Sequence, residues 1–210
     1  MSGSARVRRI FARLSSVYPD AHCELRHRGP FQLLAATILS AQCTDRNVNR
    51  ATPGLFKAWP TAAALAKADT RSVEARIKGL GLYRVKARSL VGMAQALVRD
   101  HAGKVPRTME ALLRLPGVGR KTANVVLSNA FGLPGLPVDT HVLRLGRRLG
   151  LFKTADAVKA EAALCSQLPP AAWGQASHLL IWHGRRLCKA RKPLCGDCPI
   201  QGLCPSAGKE

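Results

Sequence analysis

Apolar residues recur at intervals of three and four along most of this chain, and no stretch of useful length alternates apolar and polar residues. Intervals of three and four place apolar side chains on one face of an α-helix. The pattern predicts a first amphipathic helix and a second, buried helix that starts at Pro30 and covers 31–39, since proline suits the first turn. The apolar positions of the first helix are Val7, Ile10, Phe11, Leu14 and Val17.

The same spacing predicts short helices at about 61–67 and 70–78, separated by capping residues. A long helix then follows a glycine-flanked turn, and its apolar positions are Val85, Leu90, Val91, Ala94, Leu97 and Val98. Thr108 can cap the next short helix. Later helices are predicted around 142–149, 154–167 and 171–187. The fold class is therefore all-α.

Residues 115–124 read LPGVGRKTAN and predict a tight hairpin between two helices. Pro116 cannot continue the preceding helix, and Gly117 and Gly119 permit backbone angles that a side chain would forbid. The exposed amides at the start of the next helix, with Arg120 beside them and the helix dipole behind them, form a site for a phosphate oxygen. Such contacts position a nucleic acid without reading its bases.

Lys121 falls in the first turn of that following helix. An ammonium there sits at the positive end of the helix dipole, and we expect it to lie partly against apolar neighbours. Both effects favour the neutral amine, which is the nucleophilic form of lysine. Lys121 is therefore a candidate reactive centre, although a surface lysine that binds phosphate would fit the same stretch.

The charge of the chain indicates a polyanionic partner. The 33 Lys and Arg residues against 12 Asp and Glu give a net charge of +21, spread through the sequence. We expect nucleic acid, because self-repulsion for solubility alone does not require so large an excess. No apolar run approaches the roughly 20 residues that cross a bilayer. The first 18 residues are Arg- and Ser-rich without an acidic residue, which fits a transit peptide or, as we favour, the amphipathic first helix.

Seven cysteines without a secretory signal indicate a reducing compartment and ligand chemistry instead of disulfides. Four of them crowd one segment in the spacing C-x6-C-x2-C-x5-C, namely Cys188, Cys195, Cys198 and Cys204. Four thiolates could hold zinc or an iron–sulfur cluster, and the spacing alone does not decide between them. The loop between the first two cysteines carries the basic residues Lys189, Arg191 and Lys192, which predicts phosphate contacts.

The hairpin run followed by VDTH at 138–141 resembles the helix-hairpin-helix DNA glycosylases, and among them most closely the endonuclease III family. The resemblance runs from LSAQ at 39–42 to the last cysteines. It implies a base excision repair glycosylase that removes oxidised pyrimidines and cuts the strand as an AP lyase. It also implies a [4Fe-4S] cluster on the four cysteines and a DNA-binding cleft between two helical domains. Those domains would be a six-helix bundle at 23–133 and a cluster domain of 1–22 plus 134–210.

The resemblance also implies roles for single residues. Lys121 would be the nucleophile, and Asp139 would stabilise developing charge or activate the lysine. Asp139 also suits a helix N-cap, a compatible role. Gln42 would fill the gap left by an extruded nucleotide, Leu82 would be an apolar wedge, and His141 would contact DNA. Without the resemblance, Gln42 is a polar residue that closes a helix, and Leu82 is a core contact.

Two other functions fit parts of the sequence. An adenine mismatch glycosylase resembles the chain but lacks the lysine and carries a further C-terminal domain, which we do not expect here. A non-catalytic DNA-binding iron–sulfur protein would not need Lys121 together with Asp139. Leu113 departs from the family, where this position is acidic, and this leaves the substrate range open. We expect a monomer that acts on damaged or abasic double-stranded DNA in the bacterial cytoplasm, at the nucleoid.

Overall fold

The computed structural model describes residues 3–209, and all the regular structure within them is helical. The predicted all-α fold class is therefore confirmed. Two 3-10 turns lie at Pro170–Ala172 and Gln201–Leu203. The α-helices are α1 (Gly3–Val17), α2 (Pro30–Leu39), α3 (Asp45–Ala58), α4 (Ala62–Ala66), α5 (Thr70–Ile77), α6 (Tyr83–His101), α7 (Met109–Leu113), α8 (Arg120–Phe131), α9 (Thr140–Arg148), α10 (Ala157–Cys165) and α11 (Trp173–Arg186).

Side-chain caps set many of the helix starts, as the sequence predicted. Thr108 accepts a hydrogen bond from the Ala111 amide at 3.3 Å and starts α7. Asp156 accepts one from the Lys159 amide at 2.8 Å, so α10 begins after that cap and the predicted start at 154 was too early. The predicted helix at 171–187 begins instead as the 3-10 turn at Pro170–Ala172.

The chain divides into two compact units. One is the continuous segment Glu24–Leu133, and the other combines the chain up to Cys23 with the chain from Pro134 onward. We call them the hairpin unit and the cysteine unit. The predicted division at 23–133 places Cys23 in the other unit, and the predicted six-helix bundle contains seven α-helices, α2 to α8.

The hairpin unit is built around α6, which packs against α2, α4 and α5, while α2 packs against α8. Its core consists of aliphatic side chains that include Leu33, Leu34, Leu39, Leu90, Met93 and Leu97. The expectation for the two ends of α6 was wrong, because Val85 and Val98 are 52% and 42% exposed.

The cysteine unit packs α11 against α1 and α9, and α9 against α10. Ile10 and Leu14 of α1 are fully buried in its core with Leu180 of α11, whereas Val17 is exposed. Among residues 3–209, no helix combines the length and the apolar character needed to span a membrane.

Candidate functional site

The predicted hairpin lies between α7 and α8, and its apolar residues hold it on the hairpin unit. Leu115 and Val118 are buried, and the Val118 amide donates to the Leu115 carbonyl at 3.1 Å. Gly117 has φ +75°, and a Cβ there would come within 2.7 Å of Ser89 Cβ in α6. The turn is therefore seated so closely on α6 that residue 117 must be glycine.

Gly119 does not need to be glycine for its conformation, so that part of the prediction was wrong. Its φ of −99° and ψ of 176° are extended, and a Cβ there would meet no protein atom within 4 Å. Gly119 is the N-cap residue of α8, and it has no side chain to accept from the first-turn amides. Those amides therefore lack the side-chain cap found at α7, α9 and α10.

Lys121 lies in the first turn of α8, directly after this uncapped start. Its side chain is exposed to solvent. The adjacent Arg120 side chain is exposed as well. The start of α8 therefore presents two basic side chains beside open amides, an arrangement suited to binding a phosphate diester with an amine next to it.

Asp139 is the N-cap of α9 in the cysteine unit. Its Oδ1 accepts a hydrogen bond from the Val142 amide at 2.9 Å, and the side chain is partly buried. The local structural role that the sequence suggested is therefore present. The cap also fixes the orientation of the carboxylate, which a catalytic role would require.

His141, in the first turn of α9, is packed against its own unit. Its Nδ1 lies 3.1 Å from Arg144 Nη2 and would lie 3.0 Å from a Cβ at Gly184 of α11. Burial lowers the pKa of His141, and the nearby Arg144 and Arg185 cations act in the same direction, although Asp139 opposes them. The ring is therefore neutral near pH 7, and its predicted DNA contact stays a prediction.

Gln42 and Leu82 share an uncommon backbone conformation. Both have left-handed angles, with φ 53° and φ 57°, although neither is glycine. Gln42 is exposed, and Leu82 is 55% exposed. The interpretation of Leu82 as a core contact is therefore wrong. The two segments are neighbours, since a Cβ at Gly81 would lie 4.0 Å from Cys43 Sγ.

The four clustered cysteines line a single pocket with apolar side chains that include Leu145, Leu149 and Ile200. Burial raises the pKa values of the Cys198 and Cys204 thiols, and nearby cysteines of the same set raise them further. Within residues 3–209, no group of three or more His, Cys, Asp or Glu side chains has the geometry to coordinate a single metal ion. Four thiols around one apolar pocket fit a polynuclear metal–sulfur group, whose positive iron atoms would stabilise the thiolates.

Two arginines that the sequence analysis did not identify hold the loop after Cys188. Arg144 donates to the Cys188 carbonyl from Nη2 at 3.0 Å, and Arg148 donates to the Lys189 carbonyl at 2.7 Å. Arg148 Nη1 also lies 3.4 Å from Cys188 Sγ. The available signal was their spacing of four residues, which places both on one face of α9. The predicted phosphate contacts Lys189, Arg191 and Lys192 are all exposed on this loop.

Comparison with known proteins gives two family matches. Residues 35–170 match the HhH-GPD superfamily base excision DNA repair protein, and residues 188–204 match the iron-sulfur binding domain of endonuclease III. Endonuclease III of Synechocystis sp. is 50% identical over 98% of this chain and 94% of its own length. Endonuclease III of Bacillus subtilis is 42% identical over 94% of this chain and 90% of its own length.

Solved structures agree with these relatives. A trapped endonuclease III–DNA covalent intermediate has a TM-score of 0.94 and 42% identity, and the alignment covers 100% of this chain and 99% of that one. A thermostable thymine-DNA glycosylase, at 24% identity and a TM-score of 0.87 over 98% of each chain, shares the fold.

Proposed function

Because the chain belongs to the endonuclease III family of the HhH-GPD superfamily of base excision DNA repair proteins, we propose roles for its residues in the reactions of that family. The protein is a DNA glycosylase with AP lyase activity that acts on DNA. We propose that its substrates are oxidised pyrimidines and abasic sites in double-stranded DNA. We also propose that it works as a monomer in the bacterial cytoplasm, at the nucleoid.

Lys121 is the proposed nucleophile, and its exposure in the first turn of α8 carries the proposal. The target nucleotide must leave the base stack before an amine can reach C1′. The amine then forms a bond to C1′ while the bond from C1′ to the base breaks, and the base leaves with a proton. The nitrogen lone pair then forms the C=N bond as the C1′–O4′ bond breaks, and O4′ takes the remaining amine proton. The resulting imine acidifies the C2′ proton, and removal of that proton expels the 3′ phosphate by β-elimination.

Asp139 is the proposed charged partner of that step. Its carboxylate, fixed by the Val142 amide, would stabilise positive charge on the sugar or accept the lysine proton. Lys121 and Asp139 belong to different units of the chain, so the proposal requires both units to bind the same nucleotide. The substitution Asp139→Asn would keep a side-chain N-cap and lose the charge, so it separates the catalytic role from the structural one.

The remaining predicted residues are proposed to hold DNA. Gly117, Gly119 and Arg120 would bind a phosphate at the start of α8, and His141 would contact DNA at the start of α9. Gln42 and Leu82 are exposed on strained backbone, which suits side chains that enter a duplex. The exposed basic loop residues Lys189, Arg191 and Lys192 would add phosphate contacts, which predicts a salt-dependent affinity.

The protein holds a [4Fe-4S] cluster in the segment that matches the iron-sulfur binding domain. We propose Cys188, Cys195, Cys198 and Cys204 as its ligands, because they line one apolar pocket. The cluster supplies iron–thiolate bonds that order the loop. Arg144 and Arg148 would then position the basic part of that loop through its carbonyl groups.

Borohydride trapping tests the function and its nucleophile together. The substrates are a duplex with one oxidised pyrimidine and a duplex with one abasic site. We expect wild type to be trapped on both and Lys121→Gln on neither, because the imine needs the amine. Lys57→Gln removes an exposed lysine of α3 and controls for the change in charge.

Retention of trapping in Lys121→Gln would refute the nucleophile assignment. Trapping on the abasic duplex alone would make the protein a lyase whose base specificity differs from our proposal. If wild type were trapped on neither duplex, the non-catalytic DNA-binding alternative would apply.

A further inference from the structure

In the hairpin unit, a buried lysine contacts a cysteine that adjoins Gln42 and the turn carrying Leu82. Lys86 Nζ in α6 donates a hydrogen bond to Cys43 Sγ at 3.0 Å. Lys86 is 4% exposed, whereas Cys43 is intermediate in exposure and not in a disulfide. The site is separate from the four-cysteine pocket, which lies in the other unit.

The pair places a buried proton donor directly beside a nucleophilic atom. Within the described part of the chain, the acceptor for Lys86 Nζ is Cys43 Sγ, and no carboxylate forms an ion pair with it. A buried lysine side chain needs a polar partner, and the Cys43 sulfur supplies it. The thiolate is the form of cysteine that reacts with oxidants.

We propose that Cys43 is a modification site, at which hydrogen peroxide and small organic hydroperoxides oxidise the sulfur that Lys86 holds to a sulfenic acid. The sulfur attacks one peroxide oxygen, so an S–O bond forms and the O–O bond breaks. Sulfur loses two electrons and the peroxide gains them. The departing hydroxide, or alkoxide, takes a proton from the Lys86 ammonium and leaves as water or alcohol, and the amine becomes neutral.

The added oxygen has consequences for the two neighbouring segments. A Cβ at Gly81 would lie 4.0 Å from Cys43 Sγ, so the sulfur is already close to the turn that carries Leu82. The Cys43 amide is bound to the Ser40 carbonyl at 3.0 Å, which limits how far the sulfur can retreat. Oxidation should therefore displace Gln42 and Leu82 and weaken DNA binding. This consequence rests on the proposed function, whereas the oxidation itself does not.

The chemical test needs no DNA. The cluster-loaded protein receives a brief pulse of hydrogen peroxide and then a 1,3-dione probe of sulfenic acid, and labelled peptides are quantified. We expect Cys43 to be labelled faster than Cys23 and Cys165, which are likewise outside any disulfide and of intermediate exposure. Lys86→Met should slow Cys43 labelling by about tenfold or more, the effect of losing one hydrogen bond to a charged group.

Lys86→Arg keeps the positive charge, so Cys43 should be labelled faster in this variant than in Lys86→Met. If Lys86→Met folds poorly, Lys86→Arg is compared with wild type instead. Equal labelling of Cys43, Cys23 and Cys165 in wild type would overturn the proposal. So would a labelling rate that is unchanged in both Lys86 variants.

A second measurement links the modification to DNA. Trapping of wild type on the abasic duplex is compared before and after the peroxide pulse, with cluster absorbance as a check. We expect trapping to fall in wild type and to persist in Cys43→Ser, whose hydroxyl can still accept from Lys86. The proposal would be overturned if the peroxide pulse abolished trapping in both proteins while Cys43 of wild type carried no label. Absence of trapping before any peroxide would refute the proposed function instead, and the labelling result would still stand.

Discussion

The hairpin at 115–119 and the loop at 188–204 are both proposed to bind phosphate, but they are held in place by different means. The hairpin is seated by its own backbone and apolar side chains, with Gly117 against Ser89 and with Leu115 and Val118 buried. The loop is held by arginine side chains on its carbonyl groups and by four cysteines around one pocket.

The hairpin is therefore a site whose shape the protein core determines, whereas the shape of the loop depends on a bound metal–sulfur group. The hairpin needs no bound group, because close packing and a left-handed glycine determine its shape. The loop brings four thiols together, and only a metal–sulfur group gives those thiols strong bonding partners. The two surfaces should therefore respond differently to the same kinds of perturbation.

The largest expected effect is the loss of one cluster ligand. Cys198→Ser should destabilise the cysteine unit by about 4–5 kcal/mol or more, the range associated with lost metal sites. Hydrogen exchange should show lost protection in α9 and α11 while α6 of the hairpin unit stays protected. Cys165→Ser in α10 is the matched control. Equal loss of protection in both units would contradict the comparison.

An intermediate effect is expected from a single methyl group in the hairpin. Gly117→Ala should lower the free energy of unfolding by about 2–4 kcal/mol, from left-handed strain and overpacking against Ser89. Gly119→Ala should change it by about 1 kcal/mol or less, because that backbone is extended and the space is open. Denaturant unfolding measures both. Similar costs at the two positions would show that the seating on α6 is unimportant.

The smallest expected effect is an acid sensitivity of the cysteine unit. Burial lowers the pKa of His178 in α11 from 6.5 to about 4, and the neighbouring His22 and Arg185 add to the shift. Between pH 6.5 and about pH 4, His178 binds a proton in the unfolded chain but not in the folded chain. Stability is therefore complete above pH 6.5 and falls by about 1–3 kcal/mol towards pH 4.

His178→Gln should reduce the slope of this part of the stability profile without changing the profile's shape above pH 7. A slope from His183 remains, because burial lowers its pKa to about 4 as well. The measurement is denaturant unfolding across pH 4–8 for wild type and variant. An unchanged acid slope in the variant would exclude His178 as the source.

The features that the sequence predicted well depend on nearby residues. The Thr108 and Asp139 side chains each accept from the amide three residues further along, so residue type and spacing were sufficient to predict these caps. Pro116 and Gly117 likewise placed the hairpin. The exposure of Lys121 could not be predicted, because it depends on which helices pack around the start of α8. Gly119 was misjudged because glycine is compatible with extended backbone as well as with left-handed angles.

The features that the sequence did not reveal depend on distant residues. The left-handed angles of Gln42 and Leu82 belong to residue types that rarely adopt them, so only the packing around them imposes that conformation. Arg148 contacts carbonyl groups about 40 residues further along the chain, and no local pattern identifies such a pair. The contact between Lys86 and Cys43 is hidden in the same way, because 43 residues separate them.

The order of the two units along the chain has a consequence for synthesis. The hairpin unit is the continuous segment Glu24–Leu133, whereas the cysteine unit joins α1 to helices that follow Pro134. A ribosome adds roughly 5–20 residues per second, so the hairpin unit emerges whole several seconds before Cys204. During that interval α1 lacks α11, its packing partner, and its buried face is open to chaperones. The cysteine unit is therefore the last to be completed, although its first helix is made first.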